Sequence, residues 1–306
     1  MYIIPRPDKK AVSLIATPGR GLSPPPTTLI FRIPASNYGN ITAVYQPDAD
    51  MNNGYFITGT DTDVGKTVVT AALLSKLLNA GIDAVPMKPV QTGCPTHANG
   101  RFGNLDLDLC FQLAGFTPRP EEQELMGPYK FGPACSPHLA ARLAGVKIDL
   151  QQICEAAAQL AARHQKVLIE GAGGVLVPIN EQETMLDLMR KLELPVIVAS
   201  RPGLGTINHT LLTLSELRRG GLDIEGVVFC ETYPTEWGAI ERDNWKTIER
   251  LGETKILGYV PYLPNLAEGV AEPTFFQDVV DKNLELPQKI SGVPLSPYRD
   301  EPGRGV

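Results

Sequence analysis

A glycine-bounded turn between an apolar run and a helix-forming run could bind the phosphates of a nucleoside triphosphate. Residues 55–67 read YFITGTDTDVGKT, in which Gly65 directly precedes Lys66 and Thr67. In such a loop the backbone N–H groups point at phosphate oxygens, the lysine reaches the terminal phosphates and the hydroxyl can ligate Mg²⁺. Five residues, instead of the usual four, separate Gly59 from Gly65, so the loop is a variant. The sequence therefore predicts chemistry on a nucleoside triphosphate.

Two further charged residues follow apolar runs that are typical of buried strands. Lys88 follows the run Ala84–Met87, and Glu170 follows Val167–Ile169 and precedes a glycine-rich turn over residues 171–174. Ligands of parallel sheets lie beyond the carboxyl ends of the strands, so both side chains would face the bound phosphates. Either residue alone is more often a solvated charge. Together with the phosphate loop, they favour a second ammonium group and a magnesium-binding carboxylate.

Apolar runs alternate with helix-forming segments between the two chain ends. Strands are predicted at residues 55–57, 84–87, 167–169, 196–199, 227–229 and 256–260. Helices are predicted at residues 68–78, at about 206–218 and 236–251, and after Asp149, which would form a capping box with Gln152. Short apolar runs separated by helices are typical of buried parallel strands. We therefore predict the α/β class, with a doubly wound, mostly parallel sheet of the P-loop NTPase type.

The composition favours small-molecule chemistry over binding to nucleic acid or membranes. The chain has 306 residues, is 43% hydrophobic and carries a net charge of −6. A mildly acidic chain gives no electrostatic reason to bind nucleic acid or an anionic membrane, and no apolar run is long enough to span a bilayer. The five cysteines form no Cys-x-x-Cys pair, so we expect reduced thiols and a cytoplasmic location.

Both chain ends are rich in proline. We predict a disordered extension over residues 1–50, a catalytic domain over residues 51–285 and a Pro/Gly-rich tail over residues 286–306. The first segment is poor in acids and contains several basic residues, so organellar targeting stays open. A second hypothesis is that the biological start is Met51. Neither end predicts chemistry.

Six motifs in a fixed order resemble those of dethiobiotin synthetases. They are GTDTDVGKT, KPVQTG, GNLDLD, SPH, EGAGG and LGTINH, and the resemblance covers about residues 54–265. It implies an ATP-dependent cyclo-ligase that joins 7,8-diaminononanoate and CO₂ into dethiobiotin, through a carbamate and a carbamic–phosphoric anhydride, with release of ADP and phosphate. It also implies a homodimer with a shared active site.

The same resemblance implies roles for individual residues. Lys66 and Lys88 would be the catalytic cations, and Thr67, Asp106 and Glu170 would hold Mg²⁺. Asp106 is preferred to Asp108 because it stands two residues after Asn104. The implied nucleotide contacts are Thr62, Asp63, Val64, Gly65, Lys66, Thr67, Val68, Asp106, Glu170, Gly171, Ala172, Gly173, Val260, Pro261 and Tyr262. The implied diamine contacts are Thr92 and, donated across the dimer interface to the substrate carboxylate, Gly205, Thr206, Ile207 and Asn208.

One position departs from the pattern of the resembling proteins. Some of them carry an asparagine after the strand that reads adenine, where this chain has Cys230. An amide can pair with the adenine edge and a thiol cannot, so the base preference stays open. Two histidines in the motifs, His138 and His209, are expected to be packed and hydrogen-bonded, without a role in proton transfer.

Two other protein classes share a similar variant loop. Partition-type and septum-positioning ATPases carry a lysine five residues before the phosphate-loop lysine, and this chain has Asp61 there. The synthetase half of a corrin-ring amidotransferase needs a glutaminase domain, for which too few residues follow Leu263. Of these, the ATPase switch acting through a partner protein is the principal alternative.

Overall fold

The computed structural model describes residues 53–95, 102–234, 236–264 and 272–287. The predicted extension over residues 1–50, the alternative start at Met51 and all of the tail beyond residue 287 lie outside these ranges. The predicted domain boundaries therefore stay predictions.

Strands and helices alternate along the described part of the chain. The strands are β1 (Gly54–Gly59), β2 (Ala84–Met87), β3 (Val90–Gln91), β4 (Tyr129–Lys130), β5 (Lys166–Gly174), β6 (Val196–Ser200), β7 (Ile224–Cys230) and β8 (Ile256–Val260). The α-helices are α1 (Lys66–Asn79), α2 (Leu105–Ala114), α3 (Gln123–Met126), α4 (Pro137–Leu143), α5 (Leu150–Ala161), α6 (Met185–Leu192), α7 (Thr206–Arg219), α8 (Ala239–Gly252) and α9 (Pro273–Asn283). Among the described residues, no helix is both long enough and apolar enough to cross a bilayer.

Six strands form one parallel sheet in the order β2-β5-β1-β6-β7-β8. Phe56 of β1 pairs with Ile169 of β5 on one side and with Val196 of β6 on the other. The carboxyl end of β1 therefore lies between those of β5 and β6. This confirms the predicted doubly wound parallel sheet, and it brings three segments of distant sequence to one edge.

Helices cover both faces of the sheet, because successive residues of a strand point to opposite sides. In β1, Phe56 belongs to one buried cluster, whereas Tyr55 and Ile57 belong to the other. The first cluster is closed by residues of α5, α6, α7 and α8, and the second by residues of α1, α2 and α9. Burial on both faces explains why the strands read as continuous apolar runs rather than as alternating ones.

Most strands and helices agree with the predictions, and the exceptions have local causes. The helix predicted from residue 236 begins at Ala239, because the backbone N–H of Gly238 donates to Glu241 Oε2 at 2.9 Å and fixes the helix start there. The third predicted strand continues past Ile169 to Gly174, so the predicted turn over residues 171–174 is wrong. The β1–β5 register shifts between Ile57 and Gly59, which leaves this extension irregular.

The predicted capping box at the start of α5 is wrong in its second half. Asp149 does cap the helix, since its carboxylate accepts from the N–H of Gln151 at 2.9 Å. Gln152, however, accepts from the hydroxyl of Tyr129 at 2.7 Å, and that hydroxyl accepts from the Asp149 N–H at 3.0 Å. A tyrosine from β4 thus takes the place that the capping box assigns to the glutamine side chain.

A small two-stranded parallel sheet holds the segment after β2. Val90 and Gln91 pair with Tyr129 and Lys130, and the N–H of Lys88 donates to the carbonyl of Met126 at 2.7 Å. These backbone bonds fix Lys88 at the edge of the main sheet where the phosphate loop lies.

Candidate active site

The loop between β1 and α1 has the backbone of a phosphate-binding turn. Gly65 precedes α1 with φ +89°, in the left-handed region, and Asp63 is also left-handed with φ +55°. A Cβ built on Gly65 would lie 2.2 Å from the sulfur of Cys230. Both the backbone angle and this close approach require glycine at position 65.

Lys66, the first residue of α1, is folded back over the loop. Its Nζ donates to the carbonyl of Asp61 at 2.8 Å, and the side chain is buried. Burial, followed by repulsion from Lys88, lowers the pKa of Lys66 from 10.5 to about 8. Mutual repulsion of two buried ammonium groups is typical of a site that binds anions.

Lys88 joins two acidic side chains from different elements. Its Nζ lies 2.5 Å from Asp106 Oδ2, on α2, and 2.6 Å from Glu170 Oε1, on β5. The same Glu170 oxygen accepts from the hydroxyl of Thr67 at 2.9 Å. Of the three side chains expected to hold Mg²⁺, two thus contact one ammonium and the third bonds to one of these two, whereas Asp108 is exposed.

Burial and charge act in opposite directions on this ion pair. Burial lowers the pKa of Lys88, but attraction from Glu170 and Asp106 outweighs it, and the pKa lies above its usual value. Burial raises the pKa of Glu170 against the lowering effect of Lys88. A raised pKa favours neutral Glu170, whereas a 2.6 Å contact with an ammonium favours the carboxylate. The contact decides, because an uncompensated buried ammonium costs more than a paired one.

A cavity of about 820 Å³ lies over these side chains. The predicted site residues that line it are Thr62, Asp63, Gly65, Lys66, Thr67, Val68, Lys88, Thr92, Asp106, Glu170, Ala172 and Gly173. Residues that line it without having been predicted are Val90, Gln91, Leu109, Ala134, Cys135, Ser136, Pro137, Val177 and Thr232. The motifs KPVQTG and SPH contain four of these, Val90, Gln91, Ser136 and Pro137, so the signal was in the sequence.

Several predicted contacts lie outside the cavity lining. Val64 is fully buried in the core, so only its backbone could face a phosphate. Gly171 is buried, and a Cβ on it would lie 2.9 Å from the ring of Phe56. The close approach at residue 171 is therefore to the core rather than to the cavity, and a larger residue would displace Phe56.

The residues expected to flank the base are tied to the loop after β7. The carbonyl of Val260 accepts from the N–H of Glu231 at 3.0 Å, and Glu231 Oε2 accepts from the N–H of Tyr262 at 2.9 Å. The other carboxylate oxygen of Glu231 accepts from the indole N–H of Trp237. Pro261 lies between the two bonded residues and is half-buried.

Cys230 is buried behind the phosphate loop. Its side chain is 2% exposed and packs on Gly65, and burial raises the pKa of its thiol to about 12. All five cysteines of the chain are free. The thiol of Cys230 therefore acts as a small apolar group under the loop.

The start of α7 lies outside the cavity lining of the single chain. Gly205 has φ +93° and Thr206 is buried, whereas Asn208 is exposed and Ile207 half-buried. The neighbouring Leu204 is completely exposed. The first-turn N–H groups of such a helix have no acceptor within the helix, so this end can receive an anion.

The two motif histidines differ from the expectation. His209 is exposed rather than packed. The backbone N–H of His138 donates to the carbonyl of Pro178 at 3.3 Å, but its buried Nδ1 has no hydrogen-bond partner among the described residues. Neither histidine lines the cavity.

Comparison with known proteins identifies the family. A family model described as an AAA domain matches residues 53–269. An ATP-dependent dethiobiotin synthetase BioD of Anaeromyxobacter dehalogenans is 44% identical over 214 residues, which cover 70% of this chain and 92% of that protein. The enzyme of the same name from Halalkalibacterium halodurans is 41% identical over 220 residues, which cover 71% of this chain and 88% of that protein.

The solved structures that are similar to this chain have much lower sequence identity to it. A MinC:MinD cell division complex of Aquifex aeolicus matches with a TM-score of 0.48 and 14% identity, covering 81% of this chain and 100% of that one. A ParA family ATPase of Chlorobium tepidum TLS matches with a TM-score of 0.47 and 12% identity, covering 76% and 98%. The curated sequence relatives, of which the chain spans about nine-tenths, decide the assignment: this chain belongs to the dethiobiotin synthetase family.

Proposed function

We propose that the protein catalyses the ATP-dependent joining of 7,8-diaminononanoate and CO₂ to dethiobiotin, with release of ADP and phosphate. Its membership of the dethiobiotin synthetase family supports the reaction. The observation that carries the site assignment is the convergence of two buried ammonium groups, those of Lys66 and Lys88, on one cavity beside the phosphate loop. Each step of the reaction forms, transfers or releases an anionic group at this place.

In the first step an amine of the substrate attacks CO₂. A C–N bond forms, the amine loses a proton and an anionic carbamate results. Lys88 and Thr92 both line the cavity, and we assign them to the carbamate and to the neighbouring amine. A fixed ammonium is suited to this role because it stabilises the product charge without reorganising.

In the second step the carbamate oxygen attacks the γ-phosphorus of ATP. The bond between γ-phosphorus and the bridging oxygen breaks, ADP leaves and a carbamic–phosphoric anhydride forms. We assign Lys66 to the transferring phosphoryl group and the backbone of residues 62–68 to the phosphate oxygens. Oriented N–H donors and a lysine are the usual means by which a phosphate loop stabilises this charge.

In the third step the second amine attacks the carbonyl carbon of the anhydride. The new C–N bond closes the five-membered urea ring, phosphate leaves and the attacking nitrogen loses a proton. No covalent bond to the protein is needed. Lys66 and Lys88 would again act as cations, here on the departing phosphate, so positioning and charge carry the catalysis.

The residues around Lys88 fit a magnesium site. Asp106 and Glu170 each lie within 2.6 Å of the same ammonium, which shows that both carboxylates can face one cation. We propose that these two carboxylates and the hydroxyl of Thr67 would hold Mg²⁺, an ion that prefers oxygen ligands. When bound, Mg²⁺ would neutralise charge on the phosphates. Among the described residues, no group of three His, Cys, Asp or Glu forms a metal site of another kind.

We also propose a homodimer in which the start of α7 binds the substrate carboxylate. Gly205, Thr206, Ile207 and Asn208 lie outside the cavity of one chain, so a second copy would have to bring them to it. The complete exposure of Leu204 beside them supports an interface, because a large apolar side chain gains from being covered. The enzyme would act in the cytoplasm, where reduced cysteines and a nucleotide substrate are expected together.

Phosphate release from ATP tests the proposal. The purified protein would be incubated with MgATP and bicarbonate, with and without 7,8-diaminononanoate, and the products would be identified by mass spectrometry. Release that depends on the diamine, together with a cyclic urea product, is the expected result. Hydrolysis that is indifferent to the diamine would contradict the synthetase assignment and favour an ATPase switch.

A further inference from the structure

A cluster of three buried hydroxyl groups lies beneath the start of α7. Ser200, the last residue of β6, has its Oγ 2.9 Å from Thr206 Oγ1 and 2.9 Å from Thr210 Oγ1. The two threonine hydroxyls are 3.3 Å apart. We call Ser200, Thr206 and Thr210 the hydroxyl cluster. Their side chains are buried, with Ser200 1% and Thr210 0% exposed.

The hydroxyl cluster is joined to the phosphate loop. The hydroxyl of Thr60, the residue after β1, donates to Ser200 Oγ at 3.4 Å, and the Thr60 N–H donates to the carbonyl of Ala199 at 3.0 Å. Next to this contact, a guanidinium nitrogen of Arg201 lies 3.8 Å from a carboxylate oxygen of Asp61. The phosphate loop therefore contacts the end of β6 and the residue after it at two successive positions, Thr60 with Ser200 and Asp61 with Arg201.

The central serine uses all of its hydrogen-bonding capacity. A hydroxyl has one donor and two acceptor positions, and Ser200 Oγ has contacts with the hydroxyls of Thr60, Thr206 and Thr210 and, at 3.5 Å, with the carbonyl of Arg201. Each threonine hydroxyl takes part in two of the cluster's contacts, and water cannot replace them beside side chains as buried as Ser200 and Thr210. These contacts join the first two turns of α7 to the last residue of β6.

The position of α7 determines where its first-turn N–H groups point. Thr206 is the first residue of the helix and Thr210 lies one turn later, so both are on the same side of the helix. Since a helix moves as a rigid unit, a displacement at these two residues would also displace the N–H groups of Ile207 and Asn208. Those two residues belong to the segment proposed above to receive the diamine carboxylate.

We propose that Ser200 and Thr210 are positioning residues, which set the anion-binding start of α7 against the phosphate loop for the diamine carboxylate. This inference rests on the proposed function. Neither residue lines the cavity, so each would act only through α7. The start of α7 is then held by the phosphate loop of its own subunit, whichever subunit's cavity it serves.

Two substitutions of Thr210 separate a hydroxyl role from a packing role. Thr210→Val keeps the shape and removes the hydroxyl, whereas Thr210→Ser keeps the hydroxyl and removes a methyl group. We expect Thr210→Val to raise the KM for the diamine about five- to tenfold, the usual effect of one lost buried hydrogen bond, with the KM for ATP unchanged. Thr210→Ser should stay within about twofold of the parent for both substrates.

Ser200→Ala is a second test of the hydroxyl cluster, and Ser75→Ala is its control. Ser200→Ala removes the central hydroxyl and should also raise the KM for the diamine selectively, which keeps the test informative if Thr210→Val does not fold. Ser75 is 3% exposed in α1, outside the hydroxyl cluster, so Ser75→Ala is a matched control for loss of a buried serine hydroxyl and should leave both KM values unchanged.

The outcomes distinguish this inference from the proposed function. If the parent protein shows no diamine-dependent turnover, the proposed function fails and this inference fails with it. If the parent is active and Thr210→Val has the parental KM for the diamine, only the positioning role is wrong. A larger loss in Thr210→Ser than in Thr210→Val, or an equal rise in the KM for ATP, would likewise overturn the positioning role in favour of packing.

Discussion

Replacing Lys88 with methionine tests whether this ammonium neutralises two carboxylates in the free protein. Lys88 and Glu170 are 4% and 3% exposed and 2.6 Å apart, so Lys88→Met leaves a buried carboxylate without its cation. Breaking a buried ion pair on one side costs about 3–5 kcal/mol of the free energy of unfolding. In a domain of this size each kcal/mol lowers the melting temperature by about 2–4 °C, so we expect a fall of about 6–20 °C.

The loss of stability should depend on pH, with a direction fixed by Glu170. Burial already raises the pKa of Glu170 above its ordinary value of 4.5, and removing Lys88 removes an effect that lowers it. A carboxyl whose pKa is higher in the folded state than in the unfolded state destabilises the fold as the pH rises above the unfolded value. The deficit of Lys88→Met should therefore be smallest at acid pH, where Glu170 is protonated in both proteins, and should grow as the pH rises from the folded-state pKa of Glu170 in the parent to the higher one in the variant.

Urea unfolding followed by circular dichroism, at pH 5 and pH 8, measures this deficit. The double variant Lys88→Met/Glu170→Gln should recover most of the stability and lose the added pH dependence. Lys76→Met is the control, since Lys76 pairs with a half-exposed Asp281 at 3.1 Å and should cost under about 1 kcal/mol. If Lys88→Met unfolds at the parental midpoint with the parental pH profile, the contact between Lys88 and Glu170 does not exist in solution.

Further predictions concern rate, substrate affinity, protonation and the loop. Lys88→Met should also lower kcat by about 10²–10³, and a near-parental kcat would remove Lys88 from the mechanism. Asn208→Ala should raise the KM for the diamine and leave the KM for ATP unchanged; an unchanged diamine KM would contradict the carboxylate site. The pKa of Lys66 in the ligand-free protein is about 8, and bound phosphates favour its charged form. Calorimetry at pH 9 in several buffers should therefore show proton uptake on triphosphate binding, and the absence of uptake would contradict this. Gly65→Ala should destabilise the fold by at least about 1–2 kcal/mol and abolish nucleotide binding, since φ is +89° and Cys230 fills the space; retained nucleotide binding would show that the loop tolerates another shape.

The sheet could be predicted because its strands are buried on both faces. Runs such as Ala84–Met87 and Ile256–Val260 are wholly apolar or nearly so, and the structure has both strands with the predicted bounds. The extension of β5 to Gly174 could not be predicted, because EGAGG lacks the apolar pattern of a buried strand. This extension is a strand only because it pairs with the backbone of β1. The partner of Gln152 was missed for a similar reason, since Tyr129 is distant in sequence.

The chemistry at the sheet edge could be predicted from strand ends, but the contacts between residues could not. A charged residue next to an apolar run indicates the ligand side, which was enough to select Lys88 and Glu170. Their separation of 82 residues hides the direct contact, and with it the dependence of each pKa on the other. The contact of Cys230 with Gly65 was hidden in the same way, so the sequence did not show that this side chain packs under the phosphate loop.

The central place of β1 has a consequence for the order in which the protein can become functional during synthesis. Thr67 contacts a residue 103 positions later, and Thr60 one 140 positions later. Contacts between such distant segments form late, because the intervening chain must first be made and its loop closed. A nascent chain that has exposed the phosphate loop therefore still lacks Glu170 and Ser200 beside it. Acquisition of triphosphate binding would then report that β5 and β6 have joined β1.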